Sequence, residues 1–302
     1  MHPAPSVILF SSLSGAGFGL LFFLGLGLPA TTGWVAFVFY LIAFGLAVGG
    51  LLASVFHLGN RKNAIKSYTQ WRTSWLSREA WAAVAALLTM GLHAFLQVFF
   101  AITIAPLGWL GAALSILTVF TTSMIYTQLK TIPRWNQPAT PAFFLTAALT
   151  GGALLSGNVT SAIVLLLILG TVVAFHWWKG DRRFAEAGST IGTATQLKGR
   201  VSLWEKPHTG ENYLTREMVY QVARRHAVKL RVIAIALMTI VPVAVLLIFG
   251  PHHVPAFIAV VSHLAGILTQ RWLFFAEAEH VVGLYYGAHG NALANSTERT
   301  PA

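Results

Sequence analysis

Residues 34–56, "WVAFVFYLIAFGLAVGGLLASVF", contain no charged side chain. At about 1.5 Å per helical residue, a run of this length crosses the roughly 30 Å hydrocarbon core of a bilayer. It lacks the alternation of apolar and polar residues that is typical of strands in a membrane barrel. The stretch therefore predicts a transmembrane helix, and with it a membrane protein of the all-α class.

The rest of the chain has the same character. Of its 302 residues, 56% are hydrophobic and only 10% are charged, against roughly 25% charged residues in soluble domains. Comparable apolar runs recur between breaks of Gly, Pro and charge. We predict a single membrane domain over 1–302, a bundle of eight transmembrane helices at residues 8–28, 34–56, 80–104, 107–128, 140–157, 160–178, 230–250 and 254–278.

Two local patterns refine this prediction. The polar stretch "SGNVT" at 156–160 predicts a tight turn between the fifth and sixth spans. Small residues in 12–23 and 45–54 predict a close approach of the first two helices. The first run has no Lys or Arg before it and passes directly into the second, so we expect it to remain attached rather than to be cleaved as a signal peptide.

The Lys and Arg residues are distributed unevenly. Of the 20, five lie in 57–78, two in 129–139 and ten in 179–229, whereas the alternate connections contain none. Because loops rich in Lys and Arg stay in the cytoplasm, this pattern predicts an even number of spans with both termini cytoplasmic. The formal net charge of +11 is thus explained by topology, and no nucleic-acid partner is expected.

The connection 179–229 is too long for a simple turn. It is polar with mixed charge, which fits either a disordered linker or a docking surface. Large apolar residues interrupt the polarity and favour docking. They are Phe184, Leu197, Leu203, Trp204, Tyr213 and Leu214. The chain contains no cysteine, which excludes disulfides, thiol chemistry and iron–sulfur ligation by this chain.

His57 and Glu79 lie at the predicted inner ends of the second and third spans. An ionisable residue at this depth is costly unless it is paired or functional. A His and a Glu near the membrane surface can serve as proton donor and acceptor at near-neutral pH, as quinone reduction or quinol oxidation requires. The alternative is structural, with His57 as an interfacial cap and Glu79 paired with Arg78 or Arg72.

Arg271 lies in the inner half of the last predicted span, in "LTQRWLFFAEAEH" at 268–280. Glu277 and Glu279 follow at about 9 and 12 Å along the helix axis, too far for a one-turn ion pair. We therefore expect Arg271 to reach another helix or a ligand such as a quinone. The alternative is an Arg that extends to the membrane surface.

His93 and His263 lie in the predicted outer half of the membrane. Two facing histidines from different helices can ligate a b-type haem. A single membrane His more often forms a hydrogen bond with a neighbouring helix. Both interpretations remain open for this pair, and no other metal site is predicted.

Three segments carry a resemblance to a known family. They are "HPAPSVILFSSLSGAGFGLL" (2–21), "FHLGNRKNAIKSYTQWRTSWLSREAW" (56–81) and "SMIYTQLKTIPRWNQPATP" (123–141). Together with the eight-span count, they resemble the membrane anchor subunits of dimethyl sulfoxide reductase-type molybdoenzymes. Within that family, the first two segments are most similar to the anchor of the cytoplasm-facing, quinone-linked sulfite dehydrogenase.

The resemblance implies a complex of three subunits in the bacterial cytoplasmic membrane. A catalytic subunit would hold molybdenum bis-pterin-guanine dinucleotide, and an iron–sulfur subunit would pass electrons to ubiquinone or menaquinone at the anchor. In the family, a His in the H-L-G element and a Glu after the L-S segment are implicated in quinol binding, and here these positions match His57 and Glu79. We expect the iron–sulfur subunit to contact Arg61, Lys62, Trp71, Arg72, Trp75 and Trp204.

Three competing functions follow. The first is a quinone-reacting anchor, with sulfite or dimethyl sulfoxide chemistry in its partner. The second is a plain anchor without a quinone site. A secondary transporter is the third possibility, because charged residues also face the interior of transporter bundles. The sequence shows no internal repeat and no matched pair of broken spans, which disfavours the transporter.

Overall fold

The computed structural model describes residues 3–56, 61–199, 201–205, 210, 212–214, 218, 226–250 and 252–286. In these ranges the chain is helical and contains no strand, which confirms the all-α class. The α-helices are α1 (Pro5–Gly25), α2 (Gly33–Val55), α3 (Trp75–Phe100), α4 (Ala105–Thr127), α5 (Ala139–Leu155), α6 (Val159–Glu186), α7 (Ile191–Thr195), α8 (Ala227–Ile235), α9 (Val241–Phe249) and α10 (His253–Ala276). There are also 3₁₀ helices at Arg61–Tyr68 and Val281–Tyr286, and a π-helix at Ala236–Ile240 joins α8 to α9.

Among the described residues, seven helical segments are long and apolar enough to cross a bilayer, with Ala227–Phe249 counted as one. Each coincides with a predicted span. The predicted fifth span is α5, an apolar helix of 17 residues, the shortest length that spans a bilayer. It packs inside the bundle against α1, α4, α6 and α10. The count of eight therefore depends on α5 and stays a prediction.

The start of α6 agrees with the prediction, whereas its end lies beyond the predicted span. The predicted turn at 156–160 is confirmed: α5 ends at Leu155, and the Asn158 side chain accepts a hydrogen bond from the Ser161 amide at 3.1 Å to begin α6. The helix itself extends beyond the predicted end of the sixth span at 178, because α6 continues to Glu186. The polar residues after Trp178 are compatible with a helix that projects beyond the apolar core, so the predicted connection 179–229 begins with helical residues up to Glu186.

Helix α1 lies at the centre of the bundle, where it packs against α2, α4, α5 and α10. The predicted close approach of the first two helices is confirmed, because a Cβ on Gly17 would overlap backbone atoms of Ala43 and Ala47. Helix α5 approaches α1 equally closely, and a Cβ on Gly19 would overlap the backbone of Ala148. Small residues let backbones meet where no hydrophobic force drives helices together inside lipid.

The basic connections lie at one end of this bundle, called the basic end below. Helix α3 begins beside the end of α4, where Glu79 contacts Thr122, and α1 runs parallel to α5. The amide of Val281 donates to the carbonyl of Thr131 at 2.9 Å. The start of α1 and the last described residues therefore lie at the same end as connections 61–74 and 128–138.

The π-helix interrupts the seventh span beside Pro242. Proline has no amide hydrogen and cannot donate to the carbonyl four residues earlier, which here belongs to Met238. A π-turn shifts the remaining backbone hydrogen bonds by one residue. The carbonyls of Leu237 and Met238 instead accept from Ser262 Oγ at 2.8 Å and His263 Nδ1 at 2.9 Å, which joins this span to α10.

Candidate functional site

Glu79 lies in the second turn of α3, at the basic end, and only 4% of it is exposed. Thr122 of α4 donates its hydroxyl to Glu79 Oε1 at 2.5 Å. No described cationic side chain forms an ion pair with Glu79. The carboxyl group is thus buried between two helices with a neutral partner.

The predicted pairing of Glu79 with Arg78 or Arg72 is wrong. Arg78 donates instead to the carbonyls of Trp71 and Arg72, at 3.0 and 2.7 Å, and its guanidinium lies 4.3 Å from the centre of the Trp75 ring. Arg72 stacks on Trp71 at 5.4 Å. Both cations therefore organise the connection before α3, and neither neutralises the carboxylate.

Arg271 is buried in the core, with 2% of its surface exposed, so the alternative of a surface-seeking Arg is wrong. As expected, it reaches another helix. Its guanidinium carbon lies 3.7 Å from the ring centre of Phe144 and 4.4 Å from that of Phe143, both on α5. A cation over an aromatic face is stabilised electrostatically, but neither ring accepts a conventional hydrogen bond.

Tyr126 connects these two regions and is absent from the residues predicted from the sequence. It lies on α4 one turn beyond Thr122 and interacts electrostatically with both Glu79 and Arg271. Its ring belongs to an aromatic cluster of six residues, with ring centres 5.3 to 5.6 Å from those of four of them. The cluster comprises Tyr126, Trp135, Phe143, Phe144, Phe274 and Phe275. The available signal was the four-residue spacing of Thr122 and Tyr126, which puts both on one helix face.

The other predicted quinone-site residue, His57, lies outside the described residues. The described chain ends at Phe56 and resumes at Arg61, in the 3₁₀ helix before α3. The structure therefore brings Glu79 and Arg271 to a shared neighbour, Tyr126, and leaves the position of His57 as a prediction.

Among the residues predicted to contact a partner, three tryptophans have different surroundings. Trp71 is 57% exposed and Trp204 is fully exposed, whereas Trp75 is partly buried against Phe120 of α4 at 6.1 Å. Trp81 donates its indole N–H to the carbonyl of Tyr68 at 3.0 Å and fixes the 3₁₀ helix on α3. Arg61 and Lys62 lie in that helix, but their side chains are outside the described part of the chain.

A second polar group at the basic end, the ion network, consists of Arg134, Asp181, Arg231 and Glu277. Arg231 donates to Asp181 at 2.7 and 2.8 Å and to Glu277 at 2.9 Å. Arg134 pairs with Asp181 and, at 3.4 Å, with Glu277. Burial raises the pKa of Glu277, and the two arginines oppose that rise. The network joins the ends of α6 and α10, the beginning of α8 and the connection before α5.

His93 and His263 do not form a facing pair. His93 packs on α4, where a Cβ on Gly108 would lie 3.0 Å from its Nε2 atom. His263 binds the carbonyl of Met238 through Nδ1. The two rings face different helices. These residues do not fit a bis-histidine haem site.

The comparisons with known proteins agree with the sequence resemblance. The family model described as "DMSO reductase anchor subunit (DmsC)" matches residues 1–287. The chain is 32% identical over 326 aligned residues to the C subunit of the sulfite dehydrogenase of Allochromatium vinosum, and the alignment covers 95% of this chain and 99% of that protein. No solved structure matches the chain.

Proposed function

Because the chain belongs to the DMSO reductase anchor subunit family, we propose that it joins an iron–sulfur subunit and a molybdopterin catalytic subunit to the membrane and exchanges electrons with quinone. Its similarity to a subunit of a sulfite dehydrogenase favours sulfite as the substrate of the catalytic partner. The one-sided Lys and Arg distribution supports a bacterial cytoplasmic membrane orientation with the basic end in the cytoplasm.

The buried carboxyl group of Glu79 carries the proposal for quinone chemistry. Quinone reduction takes up protons together with the electrons that the iron–sulfur partner delivers, and quinol oxidation releases them. Glu79 is buried, lies near the basic end and has a hydroxyl rather than a cation as its partner. Because no described positive charge holds it ionised, it can carry a proton between the membrane site and water.

His57 and Glu79 form the proposed proton-exchanging pair of the quinone site. His57 follows the end of α2 by two residues in the sequence, and histidine is the side chain best suited to proton exchange near neutrality. Arg271 contributes through its electrostatic interaction with Tyr126, which also interacts with Glu79. Since Phe143 and Phe144 cover its guanidinium, we assign it an electrostatic role in the core rather than a direct contact with the quinone ring.

The test separates quinone turnover from the activity of the partner subunits. Glu79→Gln and His57→Ala should each slow quinone-coupled turnover of the intact complex by about 10²- to 10⁴-fold, the usual cost of losing a proton-transfer group. Activity with an artificial dye should stay unchanged, because the dye takes electrons from the soluble subunits. Glu186→Gln is the matched control, since Glu186 is exposed and pairs only with Arg183 among the described residues.

Near-normal quinone turnover in both Glu79→Gln and His57→Ala would favour the plain anchor. Loss of dye activity as well would show that the substitutions damage assembly, and the proton-exchange role would then lose its support. A loss of activity confined to the quinone assay would distinguish the proposed quinone site from a plain anchor and from damaged assembly.

The docking surface for the iron–sulfur subunit is proposed to include Trp71 and Trp204. Both side chains are exposed, and tryptophan is among the residues that dominate binding energy in interfaces. Trp71→Ser combined with Trp204→Ser should weaken retention of the partner on membranes by up to roughly 10³-fold, because about 2 kcal/mol per anchor residue corresponds to about 30-fold for each substitution.

Trp34→Ser supplies the control for docking. Trp34 is 80% exposed and lies at the start of α2, at the end opposite the basic end. Its substitution should leave the partner bound. If the Trp34 variant released the partner and the double variant retained it fully, the docking surface would lie at the end opposite the basic end, and the proposal would be wrong.

A further inference from the structure

The tautomer of His263 follows from its hydrogen bond. A carbonyl oxygen accepts and never donates, so the contact between His263 Nδ1 and the carbonyl of Met238, at 2.9 Å, requires the proton on Nδ1. In the neutral ring, Nε2 then carries the free lone pair. Pro242 creates this arrangement, because it deprives that carbonyl of a backbone donor.

The Nε2 atom faces an internal cavity between α1, α5 and α10. A Cβ on Gly151, which lines the cavity, would lie 3.8 Å from Nε2. Arg271, Ser11 and Ser12 supply the other polar groups in its wall. The remaining wall is formed by small and apolar residues, which are Gly15, Ala16, Ala147, Ala148, Gly151, Leu264 and Ile267.

Polar groups in this wall lack protein partners. Neither Nε nor Nη1 of Arg271 has a hydrogen-bond acceptor among the described residues, and the Ser12 hydroxyl is also unpaired there. Arg271 and Ser12 are 2% and 4% exposed. A buried donor without an acceptor costs free energy, and more so when the donor is charged. One cavity is thus lined by a residue with an unpaired cationic donor, Arg271, and by a residue with a free lone pair, His263.

We propose that this cavity is a binding site for one internal water that bridges Arg271 and His263. The water accepts from the guanidinium and donates to His263 Nε2, and the Ser12 hydroxyl completes its surroundings. The cavity offers about 10 Å³ to the centre of a water-sized sphere, close to the volume that one water needs. A quinone ring is far larger, so this site is distinct from the proposed quinone site.

The bridging water has a structural consequence for the buried guanidinium of Arg271. It supplies the acceptor that Phe143 and Phe144 cannot supply, and it ties the end of the Arg271 side chain to the span that contains Met238. The guanidinium is thereby held beside the aromatic cluster in one orientation. This role does not depend on quinone binding.

The first measurement is a cryo-EM structure of the intact complex in lipid nanodiscs, at a resolution that shows ordered waters. We expect density for one water within hydrogen-bond distance of both His263 Nε2 and a nitrogen of Arg271. An empty cavity at that resolution, or a direct hydrogen bond from Arg271 to His263, would overturn the proposal.

The second measurement fills the cavity without removing a polar group. In Gly151→Ala, the new Cβ has only ordinary contacts, the nearest at 3.4 Å to Ala16, so the helices need not move. Loss of the water should lower the midpoint of thermal unfolding of the complex by a few degrees. Gly49→Ala is the control, because Gly49 is a helical residue with nothing within 4 Å of its Cβ position.

A double-mutant comparison then assigns the effect to Arg271. In an Arg271→Met background, the same Gly151→Ala substitution should cost little, because the charged donor that needs the water is gone. An equal fall in both backgrounds would show that the cavity does not serve Arg271. If the Met background fails to assemble, Gly15→Ala, whose Cβ would lie 3.9 Å from Ala148 Cβ, repeats the filling test from the α1 side; a midpoint no lower than that of Gly49→Ala would refute the proposal.

Discussion

Glu79 and Glu277 are two carboxyl groups at the same end of the bundle, each 4% exposed, with opposite surroundings. Glu277 is held between Arg134 and Arg231, in contact with charges from two other segments. Glu79 has a threonine hydroxyl instead. Burial is therefore no guide to role here. We propose that the partner decides whether a buried carboxylate ties helices together or remains free to exchange a proton.

Arg231→Met tests the structural half of this comparison and should have the larger effect on stability. Arg231 bonds both Asp181 and Glu277, and removal of one partner from a buried ion pair costs about 3–5 kcal/mol. Because the Arg231 side chain is about 20% exposed, we expect roughly 3 kcal/mol, the lower end of that range. Denaturant unfolding of the complex in detergent measures it.

The loss in Arg231→Met should depend on pH. Burial already raises the pKa of Glu277, and without Arg231 the pKa should rise further. A raised pKa in the folded state means that stability is greatest where the group is protonated, so the variant should recover part of its loss as the pH falls. Arg182→Met is the control, since Arg182 stacks on Trp178 at 4.2 Å and has no carboxylate partner among the described residues. Equal losses of unfolding free energy in Arg231→Met and Arg182→Met would show that the ion network does not stabilise the bundle more than an ordinary arginine does.

Thr122→Val tests the functional half and should have the smaller effect. Valine keeps the shape of threonine but cannot donate to Glu79. The loss of one hydrogen bond, about 0.5–1.5 kcal/mol, should change quinone-coupled turnover roughly 3- to 10-fold and leave dye activity unaltered. Thr118→Val is a close control, because that buried hydroxyl donates only to the carbonyl of Leu114. An identical change in turnover for both variants would mean that the contact with Glu79 has no special role.

The sequence predicted Glu79 and Arg271 as notable residues for a local reason. A charge within or beside an apolar run is visible in the chain itself, and its cost in a bilayer demands an explanation. Their partners were not predictable in this way. Thr122 is 43 positions from Glu79, and the alternative that Glu79 pairs with nearby Arg72 or Arg78 failed because those cations bind backbone carbonyls and stack on tryptophans.

Tyr126 and the ion network show the same limit. Tyr126 lies in an ordinary apolar helix face, and only the packing of α4 against α5 and α10 surrounds it with aromatic rings. Arg231 and Glu277 are 46 positions apart, and Arg231 and Asp181 are 50 apart. No periodicity within one helix encodes such a meeting, because it requires that separate spans end at the same depth and side by side.

The sequence alone determined which segments enter the membrane and how the basic connections alternate, since the transfer of a helix into lipid depends on the composition and length of that helix. The tertiary structure decided which buried polar groups are neutralised. Helices α1 and α5 meet through small residues, and the packing of α10 beside them decides which side chains face each other and that Arg271 and His263 line one cavity. Hydrogen bonds and ion pairs act over a few ångströms, so they depend on positions that only the packed bundle defines.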